Sequence, residues 1–243
     1  MPEITDSAAR LKKRIRNGET VLGVSVPMTM SRNELAAIVE SGPYDFVGID
    51  IQHAPYDENV LVSFCQKAAE IGVHTQFRIK HTQHTYLIGN YLDLGPSGIE
   101  VPQVETMKTV DEAVANFYYR PFGVRSWGGR GRLTLKDPGD HNDYANWWKD
   151  TGVLWLQVES IAACSDARLM AKEGVDCISF GPMDLTFDLE AHPRHPFKTV
   201  DDCVRNVAEQ LQGTGVAACY RNGTPKSRQK YIDMGVTVLL EVP

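Results

Sequence analysis

The sequence has no apolar run of about 18 residues, the length that crosses a bilayer, and residues 1–19 contain no apolar core segment of the kind found in secretory signals. Cationic side chains are in the minority, with 25 Lys and Arg against 31 Asp and Glu, which gives a net charge of -6. Such a balance argues against nucleic acid or an anionic membrane surface as a partner. We therefore expect a cytoplasmic protein with no nucleic-acid and no membrane partner.

The chain has few cysteines, and their spacing does not indicate a metal site. The five cysteines are an odd number, and no two form a Cys-x-x-Cys pair. Disulfide scaffolds of secreted proteins use even sets, and zinc sites bring cysteines within a few positions of one another. The pattern predicts reduced thiols in a cytoplasmic protein at all five positions: Cys65, Cys164, Cys177, Cys203 and Cys219.

A glycine-rich dinucleotide-binding motif is missing after the first apolar run, residues 21–26, which disfavours a nucleotide-binding doubly wound sheet. The sequence has a repeat instead, in which a helical pattern ends in glycine and a short apolar run follows at once. Glycine suits the end of a helix because the residue there often has a positive φ. The repeat occurs at seven glycines: Gly42, Gly72, Gly95, Gly152, Gly174, Gly215 and Gly235.

The apolar runs of this repeat are too continuous for strands with one solvent-facing side, so they indicate parallel strands buried on both faces. With residues 21–26 they make eight strands in a chain of 243 residues. Eight strand–helix units in that length are typical of a (β/α)8 TIM barrel, a fold of the α/β class. An open, doubly wound sheet is the alternative.

Three features depart from the regular repeat. A helix predicted over residues 5–17 precedes the first strand, and the connection between Tyr119 and Thr151 is long enough for an elaborated loop with a short helix at 141–149. The chain ends directly after the eighth strand, so we expect a barrel that lacks its final helix. Because no linker-like change of composition occurs, residues 1–243 are predicted to form a single domain.

Candidate metal ligands stand where TIM barrels place their active sites, at the C-terminal ends of the strands. Glu159 follows the fifth strand and Asp184 follows the sixth. Two carboxylates on adjacent strand ends can hold a hard divalent cation, which prefers oxygen ligands; we expect Mg²⁺ or Mn²⁺, with Co²⁺ as a further option. Either acid taken alone is equally well explained by the favourable dipole at a helix N-terminus.

Other candidates follow neighbouring strands. Arg78 ends the third strand, and a guanidinium on an apolar strand is costly unless it meets an anion. His53 follows the second strand, and Asp93 lies near the end of a helix; alone, these fit an ordinary surface histidine and a capping carboxylate. Together with a cation, Arg78 can stabilise an enolate oxygen and His53 can move a proton. The set suits proton abstraction or carbon–carbon cleavage beside a carbonyl.

Seven stretches occur in the order, and roughly at the spacing, of a known family: YDFVGIDIQHAPYDEN, QFRI, LDLGPSGIEVPQVET, YRPFGVR, LQVES, VDCISFGPMDLT and HPRHP. The pattern GP-x-DL after a strand, with Q-x-E one strand earlier, is fairly specific. On these stretches the chain resembles the HpcH/HpaI family of class II, metal-dependent pyruvate aldolases. That family includes 4-hydroxy-2-oxoheptanedioate aldolase and the 2-keto-3-deoxy-sugar-acid aldolases.

The resemblance implies roles for the matched catalytic residues. Glu159 and Asp184 would be the metal ligands, with water and substrate oxygens completing the shell. Arg78 would hold the keto oxygen and stabilise the pyruvate enolate. His53 would act as acid and base through a water on the metal, with Asp93 as the residue that orients or charges it.

The resemblance also implies how the substrate is held. Gln157 would form a hydrogen bond with the bound pyruvate moiety, and backbone amides near Met183 and Asp184 would bind its carboxylate. Members of the family commonly exchange their last helix between subunits, so a homo-oligomer is expected, although this chain ends before that helix.

The sequence differs from the family pattern in two places. The motif before the histidine is usually D-x-E-H, but here Gln52 replaces the acid. An amide takes no proton at neutral pH, so proton transfer near the metal should differ while metal binding persists. After Arg125, Ser126 and Trp127 stand where the family usually has glycine, which leaves the choice of aldehyde open.

The leading hypothesis is a divalent-metal-dependent aldolase. It would reversibly cleave a 4-hydroxy-2-oxo acid to pyruvate, or a related 2-oxo acid, and an aldehyde through an enolate. One alternative uses the same site for oxaloacetate decarboxylation, another condensation or a CoA-ester lyase reaction. Another is a non-catalytic relative that binds a small oxo acid.

Overall fold

The computed structural model describes residues 4–128 and 140–242, which form a barrel of eight parallel strands in chain order. Each strand pairs with the next, and β8 pairs with β1, so the sheet is closed. Closure confirms the predicted TIM barrel and rules out the open doubly wound sheet. The strands are β1 Val21–Ser25, β2 Phe46–Asp50, β3 His74–Arg78, β4 Gly98–Val101, β5 Val153–Val158, β6 Cys177–Phe180, β7 Ala217–Gly223 and β8 Val238–Glu241.

Helices fill the connections and pack around the strands. The first of them precedes β1, as predicted, and the helix predicted at 141–149 is present as a slightly longer helix. Residues 129–139 of that long connection lie outside the described part. The helices are α1 Ile4–Arg16, α2 Arg32–Glu40, α3 Glu58–Ile71, α4 Ile88–Asp93, α5 Met107–Phe117, α6 His141–Thr151, α7 Ile161–Ser165, α8 Ala167–Met170, α9 Pro182–Ala191, α10 Val200–Leu211 and α11 Arg228–Ile232.

The repeated glycines have two different structural reasons. Gly72 and Gly235 have φ of 76° and 92°, as expected for helix ends. Gly152, in contrast, has a φ of -66°, which any residue can adopt. A side chain there would collide with the Trp148 ring, 2.6 Å from where a Cβ would stand, and with Phe117. The expectation of a positive φ is therefore wrong for Gly152, where close packing requires the glycine. It is also wrong for Gly42, whose φ is not positive and where a Cβ would lie 2.8 Å from the Tyr44 ring.

At its lower end, where the strands begin, the interior of the barrel is mainly apolar, with the buried His74 and Gln76 of β3 as polar exceptions. Alternate residues of the strands point inward, and Phe46 and Trp155 meet there edge to face with ring centroids 5.3 Å apart. Gly23 makes room for the Phe46 ring, since a Cβ would lie 2.1 Å from it. Leu11 and Ile15 of α1 belong to the same buried cluster, so the N-terminal helix closes the lower end of the barrel.

A buried lysine fastens α1 to this end. Lys12 Nζ donates to the carbonyl of Gly152 at 2.6 Å and to the Tyr118 hydroxyl at 3.0 Å, and it lies 3.2 Å from Asp176. Asp176, fully buried, also accepts from Arg16 and from the backbone amide of Leu154, each at 2.9 Å. Burial lowers the pKa of Lys12, against the opposing effect of Asp176. All three ammonium protons have acceptors, which is the arrangement a buried charge requires.

In the described residues, no helix is both long and apolar enough to cross a membrane. The five cysteines are buried free thiols, with the pKa of Cys65 raised by burial to about 12. A raised pKa keeps a thiol protonated and unreactive at neutral pH.

The Lys12 contacts predict a large stability loss on truncation. Lys12→Ala should lower the free energy of unfolding by about 3 kcal/mol, because it leaves the buried Asp176 short of one cation. The exposed neighbour Lys13 provides the matched control, and Lys13→Ala should cost less than about 0.5 kcal/mol. Urea denaturation of both variants measures the difference. Equal effects would show that α1 is held by its apolar residues alone.

Candidate active site

Polar side chains replace the apolar interior near the C-terminal ends of the strands. Among them Glu100, Gln157 and Ser179 are at most 2% exposed. Charged groups that are buried need ion-pair or hydrogen-bond partners, and the neighbouring strands supply such partners. The inward-facing polar residues of this layer are Asp50 of β2, Arg78 of β3, Glu100 of β4, Gln157 of β5, Ser179 of β6 and Arg221 of β7.

Arg78 is held in place by two neighbours. Its guanidinium pairs bidentately with Asp50, with Nε 2.9 Å from Oδ1 and Nη2 in close contact with Oδ2. Nη1 donates to Gln157 Oε1 at 2.9 Å. The anion expected near Arg78 is therefore supplied, at least in part, by the chain itself. Gln157 lies beside Arg78 as its acceptor, and its predicted contact with substrate stays a prediction.

Asp50 links Arg78 to the loop that leads to the predicted histidine. Its Oδ1 also accepts from the backbone amide of Gln52 at 2.9 Å. Burial alone would raise the pKa of Asp50, but the hydrogen bonds and charge of Arg78 outweigh it and hold the pKa below its ordinary value. Asp50 is thus a carboxylate at neutral pH. His53, three residues further on, is exposed at the mouth of the barrel.

Glu159 is a buried carboxylate with one unused oxygen. Its side chain is 6% exposed, and Oε2 is buried without a hydrogen-bond partner in the described part of the chain. A Cβ at position 181 would lie 2.1 Å from Glu159 Oε1, so only glycine at Gly181 leaves space for the carboxylate. Burial raises the pKa of Glu159 to about 7, the charge of Asp184 adds to the rise, and Arg78 opposes it.

Asp184 lies near Glu159, at the start of helix α9. It is exposed in the first turn of α9, which follows β6. Gly181 has no side chain to cap this helix, and Pro182 has no amide proton. The amides of Met183 and Asp184 therefore stand at the helix start without a side-chain cap, as a carboxylate-binding site would require. The Met183 side chain is 65% exposed, so only its backbone suits that role.

Asp93 has a partner of its own. It ends α4, as expected from the sequence, and its Oδ1 accepts from Arg125 Nη2 at 2.7 Å. Arg125 is buried between the rings of Tyr119 and Trp148, 4.7 and 4.9 Å from their centroids. The predicted pairing of Asp93 with the histidine of the second strand end stays a prediction. The contact between Asp93 and Arg125 holds the beginning of the long connection against the end of α4.

Sequence reasoning missed Glu100. The residue is an acid in the otherwise apolar strand β4, and its oxygens accept from Ser179 Oγ at 2.7 Å and from Arg221 Nη2 at 2.5 Å. The signal was the same as for Arg78, a charge on a buried strand. Near the end of β7, Arg221 enters the site, whereas Tyr220 points outward and stacks on Tyr231, with centroids 4.0 Å apart.

The fold and this constellation agree with a match to a family model. Residues 23–222 match the description HpcH/HpaI aldolase/citrate lyase. The chain belongs to the HpcH/HpaI aldolase/citrate lyase family. The match extends from β1 to β7 and so covers the whole polar layer described above.

Relatives within the HpcH/HpaI family are distant but cover most of the chain. A hydroxypyruvate/pyruvate aldolase of Delftia acidovorans is 29% identical over 202 residues, 82% of this chain and 74% of that protein. A 2-keto-3-deoxy-L-rhamnonate aldolase of Escherichia coli is 26% identical over 92% of this chain and 83% of that protein. The crystal structure of an HpcH/HpaI aldolase from Desulfitobacterium hafniense has a TM-score of 0.81, 26% identity, and covers 96% of this chain and 89% of that one.

Membership makes this protein a lyase of the aldolase type, and the class implies a divalent metal. Within residues 4–128 and 140–242, no three His, Cys, Asp or Glu side chains are grouped to hold an ion. Glu159 and Asp184 as the protein ligands of such a metal stay a prediction. The unpartnered Oε2 of Glu159 fits such a cation, because a buried anionic oxygen is costly without a counter-charge.

The raised pKa of Glu159 predicts a pH-dependent cost of folding in metal-free protein. Below about pH 4.5 the carboxyl is protonated in both the unfolded and the folded state, so it costs nothing. Between that pH and about 7 the unfolded state ionises first, so stability falls as the pH rises. Glu159→Gln removes this effect, and its stability relative to wild type should rise by on the order of 2 kcal/mol from pH 5 to pH 8.

Urea denaturation in chelator at both pH values measures the change. Glu190, which is exposed on α9, provides the control, since Glu190→Gln should differ from wild type by the same amount at both pH values. A pH-independent difference for Glu159→Gln would mean that Glu159 ionises normally in the folded protein.

Proposed function

We propose that this protein is a divalent-metal-dependent aldolase. It cleaves a 4-hydroxy-2-oxo acid to pyruvate, or a closely related 2-oxo acid, and an aldehyde, and it catalyses the reverse addition. The single observation that supports this most is the buried Glu159 carboxylate, with one unpartnered oxygen, beside Asp184 and Arg78. An arginine and two acids at one end of a barrel suit a substrate with adjacent keto and carboxylate groups.

The proposed substrates follow from chemistry shared by the relatives. Two of them are named hydroxypyruvate/pyruvate aldolase and 2-keto-3-deoxy-L-rhamnonate aldolase, and both names describe aldol reactions of 2-oxo acids. We extend that reaction class to this chain, without assigning its aldehyde. A divalent cation held by Glu159 and Asp184, Mg²⁺, Mn²⁺ or Co²⁺, supplies Lewis acidity toward the 2-oxo group.

His53 and Arg78 have different roles in the reaction. Cleavage begins when the C4 hydroxyl loses its proton, and His53, exposed at the mouth, is the base that takes it. The C3–C4 bond breaks, the aldehyde leaves, and the electron pair becomes the enolate of pyruvate. Arg78 donates to the enolate oxygen as its charge develops. Protonation at C3 by the imidazolium completes the turnover and restores His53.

Substrate binding uses the helix start and the side chains beside Arg78. The amides of Met183 and Asp184 bind the carboxylate of the oxo acid, and Gln157 contacts it from β5. Asp93 orients or charges His53, the acid–base residue. Gln52 has a buried side-chain oxygen without a hydrogen-bond partner in the described residues, so its amide oxygen accepts a hydrogen bond from a water or a substrate hydroxyl and does not serve as a base.

Location and assembly are part of the same proposal. We place the protein in the cytoplasm, in agreement with its acidic composition and free cysteines. We also propose a homo-oligomer. Met183 and Phe187, one turn apart on α9, are 65% and 66% exposed, and apolar side chains of that size are commonly covered in an assembly.

Metal binding is testable without any substrate. At about 100 times its Kd, Mn²⁺ should raise the melting temperature of the wild type by about 5 °C, because it binds only the folded state. Glu159→Gln and Asp184→Asn should each lose most of this shift, and Glu190→Gln should keep it. Differential scanning fluorimetry with and without chelator gives the readout. A full shift in both site variants would place the metal elsewhere.

Catalysis is testable through Arg78. Arg78→Met should lower kcat/KM for pyruvate release by about a hundredfold or more, the usual loss when one donor to a developing oxyanion is removed. Lys80 lies two residues further along, exposed, and Lys80→Met is the control for the lost charge, with an expected change of less than about threefold. Coupled lactate dehydrogenase assays on a panel of 4-hydroxy-2-oxo acids measure both. Turnover that survives the loss of Arg78, or persists in chelator, would contradict the mechanism.

A further inference from the structure

Gln103 has a backbone conformation that is unusual for its residue type. It lies at the mouth of the barrel, two positions after the end of β4, and its φ is 50°. The other positive φ values in the described residues belong to glycines. A residue with a side chain adopts this left-handed conformation at a cost, and such residues are concentrated at functional sites where the surrounding structure imposes the conformation.

The turn that contains Gln103 binds the end of β5 on both sides of the first proposed metal ligand. The Val104 amide donates to the carbonyl of Gln157 at 2.8 Å. The Glu105 carboxylate accepts from Ser160 Oγ at 2.6 Å. Ser160 is also the N-cap of α7. These contacts fix the backbone from which the side chain of the ligand extends.

The amide of Gln103 reaches the ligand itself. It donates a hydrogen bond to the carboxylate of Glu159, and this bond lowers the pKa of Glu159 against the larger opposite effect of burial. Glu159 Oε2 has no partner in the described part of the chain, so one side of the carboxylate is held and the other is open. Because the Val104 amide is bonded to β5, a change in φ at Gln103 would turn the preceding peptide group, and with it this N–H, away from Glu159.

We infer that Gln103 is a positioning residue, whose left-handed backbone aims its amide at the Glu159 carboxylate so that the free oxygen is presented to the cation. This inference rests on the proposed function, because it assigns Glu159 to a divalent cation. Hydrogen bonds to a ligating carboxylate orient it and help to set the affinity for the metal. The role belongs to the backbone of Gln103, and the side chain matters through the φ that it allows.

Two substitutions at residue 103 disturb the amide by different means. Gln103→Val disfavours the positive φ because valine is β-branched, and Gln103→Pro removes the N–H and fixes φ at about −65°. Each should raise the Kd for Mn²⁺ by about tenfold or more, the usual loss when a group that orients a metal ligand is removed. Titration of the folded protein with Mn²⁺, with the free ion followed by electron paramagnetic resonance, measures Kd. Gln103→Val gives the result on its own if the proline variant does not fold.

A third substitution at the same residue separates the backbone from the side chain. Gln103→Gly keeps the N–H, and glycine adopts a positive φ readily, so its Kd for Mn²⁺ should stay within about threefold of the wild-type value. The Mn²⁺ concentration that gives half-maximal pyruvate release should rise in Gln103→Val by the same factor as its Kd. A turn with a purely structural role would lower the melting temperature without moving either quantity.

Gly213→Val is the matched control for backbone strain. Gly213 has a φ of 72° in an exposed turn between α10 and β7, and a Cβ there would have no atom within 4 Å. This turn lies at the opposite end of the barrel from Glu159. Valine at residue 213 therefore imposes the same unfavourable φ far from the site. It should lower the melting temperature and leave the Kd for Mn²⁺ unchanged.

The outcomes separate this inference from the proposed function. Wild-type Mn²⁺ affinity in both Gln103→Val and Gln103→Pro overturns the inference, and so does an equal loss of affinity in Gln103→Gly or in Gly213→Val. In those cases the proposed function stands, since the wild type still binds Mn²⁺ and releases pyruvate. Absence of Mn²⁺ binding and of pyruvate release in the wild type overturns the proposed function and, with it, the role of Gln103.

Discussion

Charges inside a closed barrel must find partners, because the interior has no solvent except at its two ends. This constraint accounts for much of the structure. At the lower end, Lys12 and Asp176 form a buried pair that joins α1 to the strands. At the upper end, Asp50 and Arg78 pair across β2 and β3. The apolar layer around Trp155 separates the two ends, so each set of charges is satisfied independently.

The two ends differ in how completely their charged groups are paired, although the lower end also has neutral buried atoms without partners, Trp155 Nε1 and His74 Nδ1. Each proton of the lower lysine has an acceptor, which is what stability alone requires. The upper end leaves Glu159 Oε2, Gln52 Oε1 and Arg221 Nε without partners in the described residues. Buried polar atoms of that kind mark places where a ligand can complete the set. Arg78, by contrast, is oriented before any substrate arrives, so it needs no reorganisation to stabilise charge.

Much of this could be predicted from the sequence, because the information is local. Short apolar runs after helix-ending glycines predicted the strands, and the position of Glu159, Asp184 and Arg78 at strand ends predicted one shared site. Glu100 was missed although it follows the same rule as Arg78, since an acid one residue before the end of a strand resembles a solvated end residue. Gly152 was predicted for the wrong reason, because the collision that excludes a side chain comes from Trp148 of the preceding helix and Phe117 of another helix.

The sequence by itself determined the parallel strands, their order and the residue types at their ends, because these depend on hydrophobic pattern and helix caps. Only the tertiary structure decided which charges pair. Asp50 with Arg78, Asp93 with Arg125 and Glu100 with Arg221 join residues 28 to 121 positions apart. Glu100 and Arg221 meet across the closed barrel, Asp50 and Arg78 through the register of adjacent strands, and Asp93 and Arg125 between α4 and the connection after α5. The burial that raises the pKa of Glu159 has the same origin, since it comes from neighbours that the chain brings together only on folding.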